Sequence, residues 1–244
     1  MTVQFSCDAL GETGRLRAAL SFLGKYFLKT VVYIDGYNLY YGLLRRSQYK
    51  WLDLYALFQD HVLDASADVL EIRYYTAPVL QRMSDDPLSS QRQRQYLQAL
   101  RKMHPNKVKI IEGSMVKKTP YLRLVKALPE APDVSLVQVI DFTEKKTDVN
   151  LAADMMEGAW TGAFEQAVLC TNDTDLEAAV ASIKRCHPHL RVGLVAPVKD
   201  NKRPVSKDLS VLVDWVKKLS SLHVAAAQLP EKIPRTSIHK PKEW

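Results

Sequence analysis

The chain has 244 residues, enough for one sizeable core and short for two full domains, which typically take roughly 100 to 200 residues each. Its 47% hydrophobic and 25% charged residues are ordinary for a soluble globular protein, and no apolar run approaches the roughly 20 residues that span a bilayer, so membrane spanning is set aside. A formal net charge of +7 is weak support for an anionic partner, but its distribution says more: residues 81–126 hold eleven Lys or Arg against three acids, residues 199–244 hold ten against five, and the remainder is acidic on balance. Basic flanks around an acidic centre have the polarity needed to hold a phosphate backbone beside cations.

Residues 1–29 read as an N-terminal extension. Asp8 and Glu12 interrupt it, and it lacks the basic start and long apolar middle of a signal peptide, although residues 15–27 could make one amphipathic helix. The first core strand is Val31-Val32-Tyr33-Ile34, closed by Asp35-Gly36-Tyr37-Asn38. Helical spacing follows over 39–46 and 52–61, then a strand over 69–76, a basic helix from Pro87 to Met103, and a strand over 108–113. From 114 to about 146 the alternation breaks into two extended runs, 121–128 and 135–142, around Pro129 and Pro132, which predicts a hairpin-like insertion. Its Lys117, Lys118, Arg123 and Lys126, with Tyr121, could form an electropositive wall that binds substrate; an exposed structural hairpin accounts for them equally well. Thr147 is placed to cap a helix running to about Trp160, and strand 167–170 follows. A helix to Arg185, a strand over 192–196 and a last helix over 207–220 complete the alternation, which predicts an α/β fold with a mainly parallel sheet. The tail from about 223 is basic and carries Pro230, Pro234 and Pro241, so an extended strap or flexible arm suits it better than a helix.

Two strands thus end in acids: Asp35 after the first, and Asp173 and Asp175 in Thr171-Asn172-Asp173-Thr174-Asp175 after 167–170. Asp148 stands at a helix start. In an open parallel sheet the carboxyl ends of the strands are where ligands bind, so all four would face one edge. Two carboxylates about 4 Å apart repel by around 4 kcal/mol at an effective dielectric near 20, a conflict that a divalent cation removes. Hard oxygen donors favour Mg²⁺ or Mn²⁺. Zinc is disfavoured, because Cys7, Cys170 and Cys186 contain no paired-cysteine spacing and His187-Pro188-His189 has no helical ligand spacing. An odd cysteine count of this kind also suits a reducing cytoplasm. Each acid has a plainer explanation, Asp-Gly as a turn and the others as helix caps, but three independent caps are a less economical account than one site.

Tyr33-Ile34-Asp35-Gly36-Tyr37-Asn38-Leu39, Lys145-Lys146-Thr147-Asp148-Val149-Asn150-Leu151-Ala152-Ala153-Asp154 and Thr171-Asn172-Asp173-Thr174-Asp175-Leu176 resemble, in order, the three signatures of the NYN domain family, a branch of the PIN-like ribonucleases. The resemblance spans about residues 31–196. It implies a three-layer α/β/α PIN-like, Rossmann-like fold, a catalytic domain over 30–222 and metal-dependent endonucleolytic cleavage of RNA that leaves a 5′ phosphate. It assigns Asp35, Asn38, Asp148, Asp173 and Asp175 to catalysis, the four aspartates to the metal, and Lys145 to substrate or to a carboxylate. Asp154 lies about 600° around the helix from Asp148, so a packing role is at least as fitting. Thr171-Asn172 departs from the family's commoner Ser-Gly, and Leu176 from its Phe. Tyr37, Tyr40 and Tyr41 could stack bases, though apolar packing explains them too. Two alternatives stay open: a noncatalytic RNA-binding adaptor, and a metal-dependent phosphohydrolase or other small-molecule enzyme using the same pocket. A homodimer or a regulatory protein partner is compatible with either.

Overall fold

A computed structural model of the chain describes residues 27–80, 86–199 and 203–244, and its centre is the apolar run that forms strand β1 (Leu28–Asp35). A short helix α1 (Gly36–Leu39) follows at once and continues as a π-helical segment, Tyr40–Leu44. Next come α2 (Leu54–Ala56) with its own π-helical extension Leu57–Val62, then β2 (Ala67–Thr76), α3 (Ser89–Met103) and β3 (Val108–Glu112). After an antiparallel arm the chain returns through α4 (Thr147–Trp160), β8 (Gln166–Cys170), a 3₁₀ turn (Thr174–Leu176), α5 (Glu177–Cys186) and β9 (Arg191–Ala196). It ends with α6 (Lys207–Ser210), β10 (Trp215–Lys218), α7 (Ser221–Ala226) and an extended segment.

The central sheet has the order β10-β9-β8-β1-β2-β3, and every pairing in it is parallel. Strands covered on both faces should be apolar throughout, and all five residues of β8 and the last six of β1 are buried. Alternate side chains of β1 feed two cores. Val32 and Ile34 join Leu39, Leu57, Phe58 and Leu100 on one face, while Val31 and Tyr33 join Leu151, Met155, Val180 and Ile183 on the other. The result is the α/β/α layering expected from the sequence. The strand order reverses beside β1: the chain leaves it toward β2 and β3, then crosses to β8 on its other side.

The arm comprises β4 (Ser114–Lys118), β5 (Tyr121–Arg123), β6 (Leu136–Gln138) and β7 (Asp141–Lys145), with β4 on β7 and β5 on β6, all antiparallel. The extended segment after α7 lies on the first core face. Trp51 donates its indole N–H to Pro230 O at 2.9 Å, and the Trp244 ring packs edge-on against Trp51 and Tyr96 with centroids 6.3 and 5.9 Å away.

Three local expectations change. The helix expected over 207–220 stops at Ser210, and Trp215–Lys218 becomes an edge strand on β9. Tertiary contacts decide this. Asp214 accepts from Val192 N and Lys184 Nζ, and Trp215 lies so close over Gly193 that a Cβ there would meet its ring at 2.0 Å. Thr147 does not cap α4 with its hydroxyl: Lys146 occupies the cap in the left-handed region at φ 84°, and Glu144 accepts from Thr147 N at 3.1 Å. The hairpin over 121–128 and 135–142 pairs at its base through β4 and β7 as well. The amphipathic helix expected over 15–27 lies, but for Phe27, outside the described residues.

Candidate active site

Parallel pairing of Ile34 with Cys170 brings the residues that follow them, Asp35 and Thr171, side by side at the reversal point of the sheet, where an open α/β sheet leaves a crevice. Thr171 Oγ1 donates to Asp35 Oδ2 at 2.9 Å and accepts from Asp173 N at 3.1 Å, tying the two strand ends together. Asp35 also caps α1, its Oδ1 accepting from Asn38 N at 2.9 Å and its Oδ2 from the Asn38 amide at 2.7 Å. Asp173 caps the 3₁₀ turn by accepting from Asp175 N at 3.2 Å. The plain capping readings of Asp35 and Asp173 are therefore true and compatible with a site. A carboxylate offers about four lone-pair positions, of which Asp35 uses three and Asp173 one.

Helix α4 starts opposite these strand ends and brings Asp148 in its first turn. Burial raises the Asp148 carboxyl from 3.8 to about 6, and the negative charges of Asp35, Glu144, Asp173 and Asp175 push in the same direction. Burial likewise raises Asp35, against the hydrogen bonds from Asn38 and Thr171, with the charge of Asp173 adding to the rise. All four sequence-derived aspartates thus act on one patch, and Asp175 is its exposed member. Glu144 is a fifth acid that sequence reasoning missed. Its signal was its place three residues before the helix start, the spacing at which a carboxylate can accept from a first-turn amide.

The donors are all oxygen, which suits Mg²⁺ or Mn²⁺. Among the described residues no three His, Cys, Asp or Glu side chains stand close enough to hold an ion as they are, so binding would draw the carboxylates inward. Like charges gathered with few cations among them supply the drive for that closure.

The remaining candidates divide. Lys145 ends β7 beside this patch, exposed and without an ion-pair partner among the described residues. Lys117 and Lys118 pair with Phe142 and Asp141, one stretch of arm away, and Arg123 pairs with Leu136, farther out. Arg123 belongs to the separate β5–β6 pair, beyond β4 and β7 along the arm. Asp154 faces elsewhere: it accepts from Tyr75 Oη at 2.7 Å and lies 3.9 Å from Arg73, a packing contact. Asn172, the departure from Gly, is structural. Its N–H donates to Asn38 Oδ1, its amide to Pro204 O at 3.1 Å, and its Oδ1 accepts from Ser206 N at 2.7 Å, which fixes the loop after β9 against this edge. Thr171 keeps the hydroxyl that the commoner Ser would supply.

An open parallel sheet with acids gathered at its reversal point is a Rossmann-like arrangement, with the candidate site at the carboxyl edge. The sequence matches the NYN domain over residues 29–214, and the chain belongs to that family and its PIN-like nuclease fold. It is 36% identical over 238 residues to 6-hydroxy-3-succinoylpyridine 3-monooxygenase HspA of Pseudomonas putida, covering 89% of this chain and 75% of the relative. A crystal structure of a protein of unknown function from Vibrio parahaemolyticus is 19% identical and covers 81% of this chain and 96% of that one, with a TM-score of 0.49, too loose a likeness to argue from. Among the described residues, no helix is long and apolar enough to cross a membrane.

Proposed function

We propose that this chain is a metal-dependent endoribonuclease whose site is built from Asp35, Asn38, Asp148, Asp173 and Asp175. The observation that carries the reading is the raised Asp148 carboxyl, held near 6 by burial and by four facing acids. A protein keeps such a patch when a cation completes it. Asp35, Asp148 and Asp173 would hold Mg²⁺ or Mn²⁺, with Asp175 at the rim, and the ion would supply Lewis-acid activation of water and charge neutralisation at a phosphodiester. The chain's own part is positional. Asn38 and Thr171 clamp Asp35 in one rotamer, Thr171 joins it to the Asp173 turn, and α4 presents Asp148 from the opposite side. Lys145 and the arm lysines Lys117 and Lys118 would carry the flanking phosphates of a single strand, as point charges that position without reading sequence. Cys170 and Cys186 are free thiols, consistent with a reducing cytoplasm as the place of action.

The test is end-labelled RNA, with matched single-stranded DNA, incubated with Mg²⁺, Mn²⁺ or EDTA. RNA cuts that need metal and vanish in both Asp35→Asn and Asp173→Asn are expected. Cleavage that persists in both variants would remove these acids from the mechanism. A second reading, an oxygenase acting on a small hydroxypyridine acid, is favoured by the 36% identity to the monooxygenase. It predicts oxygen consumption with 6-hydroxy-3-succinoylpyridine and a two-electron reductant, and no RNA cleavage.

A further inference from the structure

Beside the acids, and distinct from them in charge, lies a cavity of about 450 Å³ between the π-helical segment and the loop after β9. Its charged wall is cationic among the described residues: Arg45 and Arg46 come from one side and Lys199 and Arg203 from the other, with Asn38 and Asn172 between them, and no described acid lines it. Among the described residues none of these four cations has a carboxylate in ion-pair range. Four cations converging on one cavity with no carboxylate partner among the described residues make a positive field that favours an anion. The aromatic wall is Tyr37 and Tyr41, stacked with centroids 5.9 Å apart and planes at 18°, with the Arg45 guanidinium 5.3 Å from the Tyr41 ring. The Tyr37 hydroxyl is shut off from water and has no hydrogen-bond partner among the described residues.

The two walls are held at a fixed separation. Gly42 lies against Pro197 so closely that a Cβ would meet Pro197 O at 2.1 Å, and Asn172 ties the Arg203 side to α1 through Asn38. Pockets of roughly 300 to 1,000 Å³ are the size that encloses small ligands, and this one combines two aromatic rings with several convergent polar groups.

We propose that this cavity binds a planar heteroaromatic ring carrying an anionic group, the ring against the Tyr37–Tyr41 pair and the carboxylate or phosphate on Arg45, Arg46, Lys199 and Arg203. Guanidinium pairs grip either anion through two parallel hydrogen bonds, and the ring gains dispersion and cation–π contact on the tyrosines. The inference does not depend on what the neighbouring carboxylates do. The ligand has two natural sources, a nucleotide end and a free aromatic acid.

Calorimetry on the full chain in EDTA separates this from any metal chemistry. The probes are uridine 5′-monophosphate and nicotinate, with uridine as ring without anion and inorganic phosphate as anion without ring. At least one of the first two should bind tenfold or more tighter than both controls, and weaken as salt rises. The double variant Arg46→Ala/Arg203→Ala, which alters two exposed side chains, should lose tenfold or more in affinity with an unchanged melting temperature; Arg45→Ala/Lys199→Ala is the second pair should the first melt early. Preference for the nucleotide assigns the site to a phosphate-bearing end, and preference for nicotinate to a carboxylate metabolite. Absence of binding by both, equal binding of phosphate alone, or full affinity in both double variants would overturn the proposal.

Discussion

Replacing Asp148 with Asn should stabilise the metal-free protein at neutral pH. The carboxyl stands at about 6 in the fold against 3.8 when free, so the folded state holds its proton more tightly. Below the unfolded value the carboxyl is protonated in both states and costs nothing. As pH rises through the window from about 4 to about 6 the unfolded chain ionises first, and stability falls, reaching its full loss above 6. Two units correspond to about 3 kcal/mol. Asp148 is only half-buried, and solvent screening reduces this by about half. An acid in the first turn of a helix also earns about 0.5 kcal/mol from the helix dipole, which Asn gives up. A net gain of about 1 kcal/mol remains, which raises the melting temperature by about 2 to 4 °C for a chain of this size. Thermal denaturation in EDTA at pH 7.5 and pH 4.5 is the assay, and the gain should be smaller at the lower pH, where Asp148 is mostly protonated in the fold. Added Mg²⁺ or Mn²⁺ should stabilise the wild type more than the variant, closing the gap. A variant no more stable than wild type at pH 7.5, or a gain independent of pH, would show that the acids do not press on Asp148.

Three further outcomes follow from the same geometry. Thr171→Val removes the hydroxyl shared by Asp35 and the Asp173 amide, and should lower urea-denaturation stability by about 1 to 3 kcal/mol, while Thr171→Ser keeps the hydroxyl and most of the stability. Gly36→Ala places a Cβ 2.5 Å from Tyr75 O, so α1 must shift off β2; a loss of about 1 to 3 kcal/mol is expected by chemical denaturation, and any RNA cleavage should drop more than stability alone explains. Trp51→Ala empties a fully buried site that holds the C-terminal segment through Pro230 and Trp244, and should cost about 3 to 5 kcal/mol and expose residues 229–244 to protease; unchanged proteolysis there would contradict the packing described.

The sequence by itself determined the alternation of strands and helices, the parallel sheet and the family, because a strand buried on both faces must be apolar along its length and a helix must repeat every 3.6 residues. Val31 to Ile34 and Ala167 to Cys170 are legible on that ground alone. The positions of Asp35, Asp148 and Asp173 were legible too, since a residue at a strand end or helix start has its place fixed locally. Partnership was not. That Asp35 meets Thr171 and that Arg45 and Lys199 line one cavity depend on which elements lie side by side, and those residues are far apart in the chain. The helix expected over 207–220 failed for the same reason: Trp215 finds the bare backbone of Gly193 on a neighbouring strand, a contact with no trace in local periodicity. Only the tertiary structure sets a basic cavity next to an acidic edge, because charge of either sign becomes a site only when folding takes it out of water and turns it toward a shared space.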